Sequence, residues 1–147
     1  MKYKLFYDYL NLVISQIHNA CIGPSISITI GKDPKVSIKN FDFKIKNNFK
    51  YIIFPIKIYG ENIRHLNILC FDKQKKIIER YEPFNEYLNF HQINDLLESL
   101  LYKLMNKSQI YFLKYQTTLN SENIINDKNC GLYCIQYIRK KFNCNPQ

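Results

Sequence analysis

Asn126-Asp127-Lys128-Asn129-Cys130-Gly131-Leu132-Tyr133-Cys134-Ile135-Gln136-Tyr137-Ile138 is the stretch from which the rest of the chain can be read. A polar run ends at Cys130. Apolar residues then recur at helical spacing, with Leu132, Ile135, Ile138 and Phe142 on or near one face. Cys130 therefore stands at or just before the first turn of a helix, where unpaired backbone N–H groups and the helix dipole favour negative charge. Such positions favour thiolate, the nucleophilic form of cysteine. Gly131 leaves the space beside the sulfur open to a substrate backbone. The same residues also read as an ordinary buried cysteine at a helix start, and the choice between the two depends on what lies upstream.

At 147 residues the chain is long enough for one domain, residues 1–147, with a core of its own. It is 46% hydrophobic with 12 Tyr and 10 Phe, which excludes a disordered chain. Residues 9–31 carry no Asp, Glu, Lys or Arg, yet Asn11, Gln16, His18, Asn19 and Gly23-Pro24 interrupt them, so no membrane span is expected. No signal peptide is expected either. The five cysteines contain no C-x-x-C pair, so neither a disulfide framework nor a zinc site is indicated and a reducing compartment fits best. The net charge of +9 leaves two readings open. One is contact with DNA or another polyanion. The other is Lys-, Asn- and Ile-heavy composition of the kind AT-rich coding produces.

Apolar spacing predicts a helix over residues 3–20, ended by Gly23-Pro24, and a strand over 25–30 before a turn at 31–34. Residues 35–49 are ambiguous, with Phe41 and Phe43 as candidates for a short strand. Tyr51–Ile58 reads as a buried strand in which Pro55 must sit at an edge or bulge. Two strands follow, His65–Phe71 and Lys76–Glu82. Ile93, Leu96, Leu97, Leu100, Leu101 and Leu104 mark an amphipathic helix over 91–106. A strand over 109–115 and a polar loop over 116–129 then lead to the Cys130 helix.

A hairpin centred on Lys73-Gln74 pairs Asp72 with Lys75 and, further out, His65 with Glu82. Opposed Cβ atoms lie roughly 4.5–5.5 Å apart, near enough for a carboxylate to accept from an imidazole N–H. A carboxylate so placed fixes the ring's tautomer and stabilises the imidazolium, the third-group role beside a Cys–His pair. The plain alternative is a surface cross-strand pair. His18 and His91 have no acidic partner placed by such geometry.

His65 opening a strand, Tyr81-Glu82-Pro83-Phe84 closing its partner and Cys130-Gly131 opening a later helix together resemble the adenovirus-type and Ulp1-like cysteine peptidases. Histidine, acid and cysteine follow in that family's order. His65-Leu66-Asn67 and Glu79-Arg80-Tyr81-Glu82-Pro83 look closest to the versions found in large DNA viruses. The resemblance implies a papain-like α+β fold, with a central Cys-bearing helix packed on an antiparallel sheet that carries His65 and Glu82. It implies a thiol protease or isopeptidase without metal or other cofactor, acting on viral structural precursors or ubiquitin-like modifiers. Cys130 would be the nucleophile, His65 the proton shuttle and Glu82 its orienter. Protein or peptide substrates, with DNA as a further partner, and a place in host cytoplasm or virion follow from the same resemblance.

That family also uses a Gln upstream of the cysteine as oxyanion donor. Gln116, after a predicted strand and 14 residues before Cys130, is the match in residue type; Asn123, seven residues before it, is the competitor. Cys134, one turn inside the helix, competes with Cys130 as nucleophile. Leu66 stands where many members have Trp, and 17 residues follow Cys130, fewer than in larger members. A catalytically inactive binding module on the same scaffold is the alternative function.

Overall fold

Tyr51–Gly60, the longest β-rich run, forms strand β4, and the sheet is built outward from it. The computed structural model describes residues 2–39, 49–60, 63–83, 90–108, 111–119 and 129–144. Before β4 come helix α1 (Tyr3–Ser15) and strands β1 (Ala20–Ile22), β2 (Ile26–Thr29) and β3 (Lys35–Ile38). After it come β5 (Ile63–Asp72), β6 (Ile77–Glu82), α2 (Phe90–Ser108), β7 (Lys114–Leu119) and α3 (Cys130–Lys141). The strand order is β3-β2-β4-β5-β6-β7, with β1 beside the start of β4. The sheet is mixed: β4, β5 and β6 run antiparallel, whereas β1 and β2 lie parallel to β4 and β7 parallel to β6. The part that carries His65 and Glu82 is the antiparallel part.

Strand alternation gives the sheet two apolar faces. On one, Ile93, Leu97, Leu101 and Met105 of α2 pack against Ile26, Ile28, Ile56, Ile58, Leu69 and Ile78. On the other, Phe6, Leu10, Val13 and Ile14 of α1 and Cys134, Ile135 and Ile138 of α3 cover Ile53, Leu66, Ile68, Cys70 and Tyr81. The result is a three-layer α+β fold with the Cys130 helix against the sheet.

Several expectations shift once tertiary contacts are known. The first helix ends at Ser15, well before Gly23-Pro24, because Asn19 takes a left-handed φ of 61° and its carbonyl accepts from the N–H groups of Lys50 and Tyr51. That turn starts β1. Gly23 then crosses the Phe54 ring so closely that a Cβ there would lie 2.5 Å from it. Pro55 sits in a central strand, not at an edge or bulge. Its position falls between the last β1 partner, Ile53, and the first β2 partner, Ile56, where a missing N–H costs no ladder bond. Phe41 and Phe43 lie outside the described residues.

The hairpin register also differs from the symmetrical one. Asp72 pairs with Ile77 and Ile68 with Tyr81, which makes the loop the four residues Lys73–Lys76. Asp72 Oδ1 accepts from the N–H groups of Gln74 (3.1 Å) and Lys75 (3.0 Å), and Lys76 closes the turn at φ 58°. Every partner is displaced by two residues. A shift of two keeps each side chain on its original face, where a shift of one would not. Glu82 thus stands diagonal to His65 instead of opposite it. The β5–β6 ladder stops at Ile68↔Tyr81, so His65–Asn67 extend past it while still paired to β4.

Candidate active site

Cys130 is the first residue of α3 and is 8% exposed, with no acidic side chain in the first turn to compete for that end of the helix. The buried stripe of α3 is Cys130, Cys134, Ile135 and Ile138, and Leu132 is 40% exposed. The helix is therefore rolled away from the face expected from Leu132, and this roll turns the cysteines to the sheet. Tyr81 of β6 stacks on Tyr137 of α3 with ring centroids 4.1 Å apart and planes 4° apart, which locks that rotation.

His65, 3% exposed, places its Nε2 2.7 Å from Glu82 Oε2, and the Cys130 side chain is near enough to act on the charge of the ring. With Nε2 on the carboxylate, Nδ1 is the ring nitrogen left for the sulfur. Burial opposes charge on the ring, but Cys130 and Glu82 outweigh it and raise the pKa above its usual value. The three side chains come together where the β5–β6 ladder has stopped, and the start of α3 reaches the opening. Cys134 Sγ lies 3.6 Å from the carbonyl of Leu66 there.

Beneath His65 lies a polar network that sequence reading missed. Glu82 and Arg80 are fully buried, and so is Asn67. Asn67 Nδ2 donates to Glu82 Oε1 at 3.3 Å, and its Oδ1 accepts from the Arg80 guanidinium, which itself stands 3.7 Å from Glu82 Oε1. On α2, Asn94 Oδ1 accepts from Arg80 Nε (3.2 Å), Tyr115 Oη (2.8 Å) and Thr117 Oγ1 (3.0 Å). A lone buried carboxylate would be costly; one shared by an imidazole, an amide and a guanidinium is compensated and held in one orientation. The available signal was the alternation itself, since Asn67 shares a face with His65 and Arg80 with Glu82.

Cys134 is fully buried, and burial, with Cys130 and Glu82 adding, pushes its thiol well above the usual range. Burial likewise pushes the Cys70 thiol up to about 12. Both lack the conditions for a reactive thiolate.

Gln116 is not brought to this cluster. It lies within β7, not in a loop after it, paired with Glu79, and its Nε2 donates to Glu79 Oε2 at 2.7 Å. The same carboxylate binds Thr118 Oγ1 (2.9 Å) and Lys141 Nζ (3.1 Å). Lys141 ends α3, eleven residues from Cys130 and about 16 Å along the axis. The amide of Gln116 is thus engaged with Glu79, at the far end of the helix from Cys130. Asn123 lies outside the described residues. Among the described residues no group of three His, Cys, Asp or Glu is placed to hold a metal ion. Nor, among the described residues, is any helix long and apolar enough to cross a membrane.

A mixed sheet with helices on both faces, in this order, is the papain-like α+β fold of the Ulp1 type. Solved structures share it. The yeast Ulp1 protease domain, in complex with the SUMO ortholog Smt3, superposes with a TM-score of 0.66 at 15% identity, covering 99% of this chain and 67% of that one. The Legionella pneumophila effector RavZ gives 0.59 at 11% identity over 99% of this chain and 56% of that one. In sequence, the chain is 28% identical to uncharacterized protein 082L of Invertebrate iridescent virus 3, over 97% of this chain and 89% of the viral one. No family model matches the chain.

Proposed function

We propose that the chain is a thiol hydrolase that cleaves peptide or isopeptide bonds in protein substrates. One observation carries this reading: a single buried imidazole bonds the Glu82 carboxylate and has the side chain of Cys130, at the start of a helix, as its neighbour. His65 takes the Cys130 proton, and the sulfur attacks the scissile carbonyl carbon. The negative charge then carried by the carbonyl oxygen faces the N–H groups at the helix start. His65 returns the proton to the leaving amine, the C–N bond breaks, and water releases the acid from the thioester with His65 again as base. Glu82 keeps Nδ1 turned to the sulfur throughout.

Likeness to a viral protein and to a SUMO-protease fold supports two substrate classes, viral structural precursors and conjugates of ubiquitin-like modifiers. We place the activity in infected-cell cytoplasm or the virus particle. Incubation with a panel of both, beside Cys130→Ala, tests the reading. Turnover by the parent and none by the variant is expected. Alkylation near neutral pH followed by mass spectrometry should find Cys130 modified ahead of Cys21, Cys70, Cys134 and Cys144. An unreactive Cys130 with no turnover would leave a binding module on this scaffold. Comparing Gln116→Ala with Asn123→Ala on a cleaved substrate decides which amide, if either, serves the oxyanion.

A further inference from the structure

Next to the site, one face of the sheet carries a polar row that neither the core nor the Cys–His–Glu cluster uses. Ser37 pairs with Ser27, Ser27 with Lys57 and Lys57 with Leu66, so three polar positions line up across β3, β2 and β4 and lead to the core residue Leu66 on β5. Adjacent strands are about 4.8 Å apart, which makes the line from Ser37 to Leu66 roughly 14 Å long. Ile26, Ile28, Ile56 and Ile58 point into the α2 core, so Ser27 and Lys57 face the α1 side. Beyond Lys57 the line reaches Leu66, the chain neighbour of His65. The first turns of α1 form its other wall, and between them lies a groove of about 740 Å³.

Two features of this groove call for an occupant. Among the described residues, Lys4, Lys39 and Lys57 line it with Asp8 as the one carboxylate, and none of the three lysines is ion-paired. Lys57 Nζ instead rests 4.4 Å from the Tyr3 ring centre. Tyr3 Oη is buried with no hydrogen-bond partner among the described residues, although buried hydroxyls normally have one. Burial, with Tyr7 and Tyr59 adding, pushes its pKa up to about 12, so it stays a donor. What fits is an acceptor-rich, negatively charged chain. Lys57 covers one face of the Tyr3 ring, so a nucleobase stacking there would have to displace it.

We propose that the groove binds an acidic stretch of the protein substrate. Its carboxylates lie among Lys4, Lys39 and Lys57, an oxygen accepts from Tyr3 Oη, and the chain continues past Leu66 towards Cys130. The word substrate rests on the function proposed above; the binding does not, and is measured without turnover.

The test uses the full chain carrying Cys130→Ala and a fluorescein-labelled Asp/Glu-rich peptide, followed by anisotropy, with the Asn/Gln counterpart as control. Lys4→Glu/Lys39→Glu/Lys57→Glu should weaken binding by about tenfold or more. Lys75→Glu/Lys103→Glu/Lys107→Glu makes the same charge change at exposed positions away from the groove, and should weaken it no more than about twofold. Tyr3→Phe, which removes only the hydroxyl, should cost about threefold to tenfold. Circular dichroism confirms folding of each. Equal losses in the two triple variants would reduce the effect to general attraction by a basic protein and overturn the proposal. So would unchanged binding in the groove triple. A single-stranded oligonucleotide that binds more tightly than the peptide and is lost in the same triple would overturn it in favour of nucleic acid. Selective peptide binding by a chain that cleaves nothing would leave the groove standing and remove the protease reading alone.

Discussion

Glu79 and Glu82 lie three residues apart on β6, on opposite faces, and each carboxylate has at least three side-chain partners among the described residues. Glu82 is sealed between β5, β6 and α2 with His65, Asn67 and Arg80. Glu79 faces α3, where Gln116, Thr118 and Lys141 bind it, and its ion pair with Lys141 is partly open to water, at 11% and 33% side-chain exposure. The two polar clusters look alike in sequence, but their surroundings give them different work. Water screens the Glu79 pair, so it ties β6, β7 and α3 together weakly. Around Glu82 no water competes, each bond is strong, and loss of one partner leaves an uncompensated charge. Of the two, Glu82 reaches the imidazole whose charge Cys130 also affects.

The contrast predicts its largest effect in turnover. Glu82→Gln should lower kcat/KM on a cleaved peptide by about 10²–10⁴, whereas Glu79→Gln should change it by less than about fivefold. Equal losses would mean that neither carboxylate orients His65. The next effect is in stability. Arg80→Met leaves Glu82 buried beside fewer partners and should cost about 3–5 kcal/mol in urea unfolding; Lys141→Met should cost only about 0–1 kcal/mol.

A pH series sharpens the comparison further, because the two clusters run in opposite directions. The His65 pKa is raised above 6.5, so its contribution is full below that value and fades as pH rises through the folded-state pKa. Burial would raise the Glu79 pKa, but bonds from Gln116, Thr118 and Lys141 hold it below 4.5. Its contribution is present above that value and is lost as pH falls through the folded-state pKa. Urea unfolding of parent, His65→Gln and Glu79→Gln should show the first variant's deficit shrinking toward alkaline pH and the second's toward acid. Deficits that move together would break the distinction. The smallest effect belongs to Gln116→Ala, which should cost about 0.5–1.5 kcal/mol of stability and leave turnover near that of the parent.

The cysteine helix, the leucine-rich helix and the His–Glu strand pair were legible because each depends on periodicity. The His65–Glu82 pairing survived a two-residue error in register for the same reason, since side chains repeat every second residue in a strand. Gln116 was misplaced because Tyr111, Phe112 and Leu113 look more like a strand than Lys114–Leu119 does. Yet Leu113 is 81% exposed, and the actual strand is held by side-chain bonds from Tyr115 and Thr117 to Asn94 and from Gln116 and Thr118 to Glu79. No local pattern encodes such contacts. Arg80, flanked by Glu79 and Tyr81, likewise reads as a surface residue until α2 is laid over it.

The buried guanidinium has a consequence for how the molecule is assembled. Its partners come from β5 (Asn67), β6 (Glu82) and α2 (Asn94), so the hairpin can close early only by carrying a cation that its own strands compensate in part. Docking of α2 adds Asn94 and covers the same side. The nucleophile's imidazole is thereby put in order by a helix from the opposite layer of the protein. A nascent chain that has made its hairpin and its cysteine helix but not yet seated α2 is, on this account, inert, and competence arrives with the last layer.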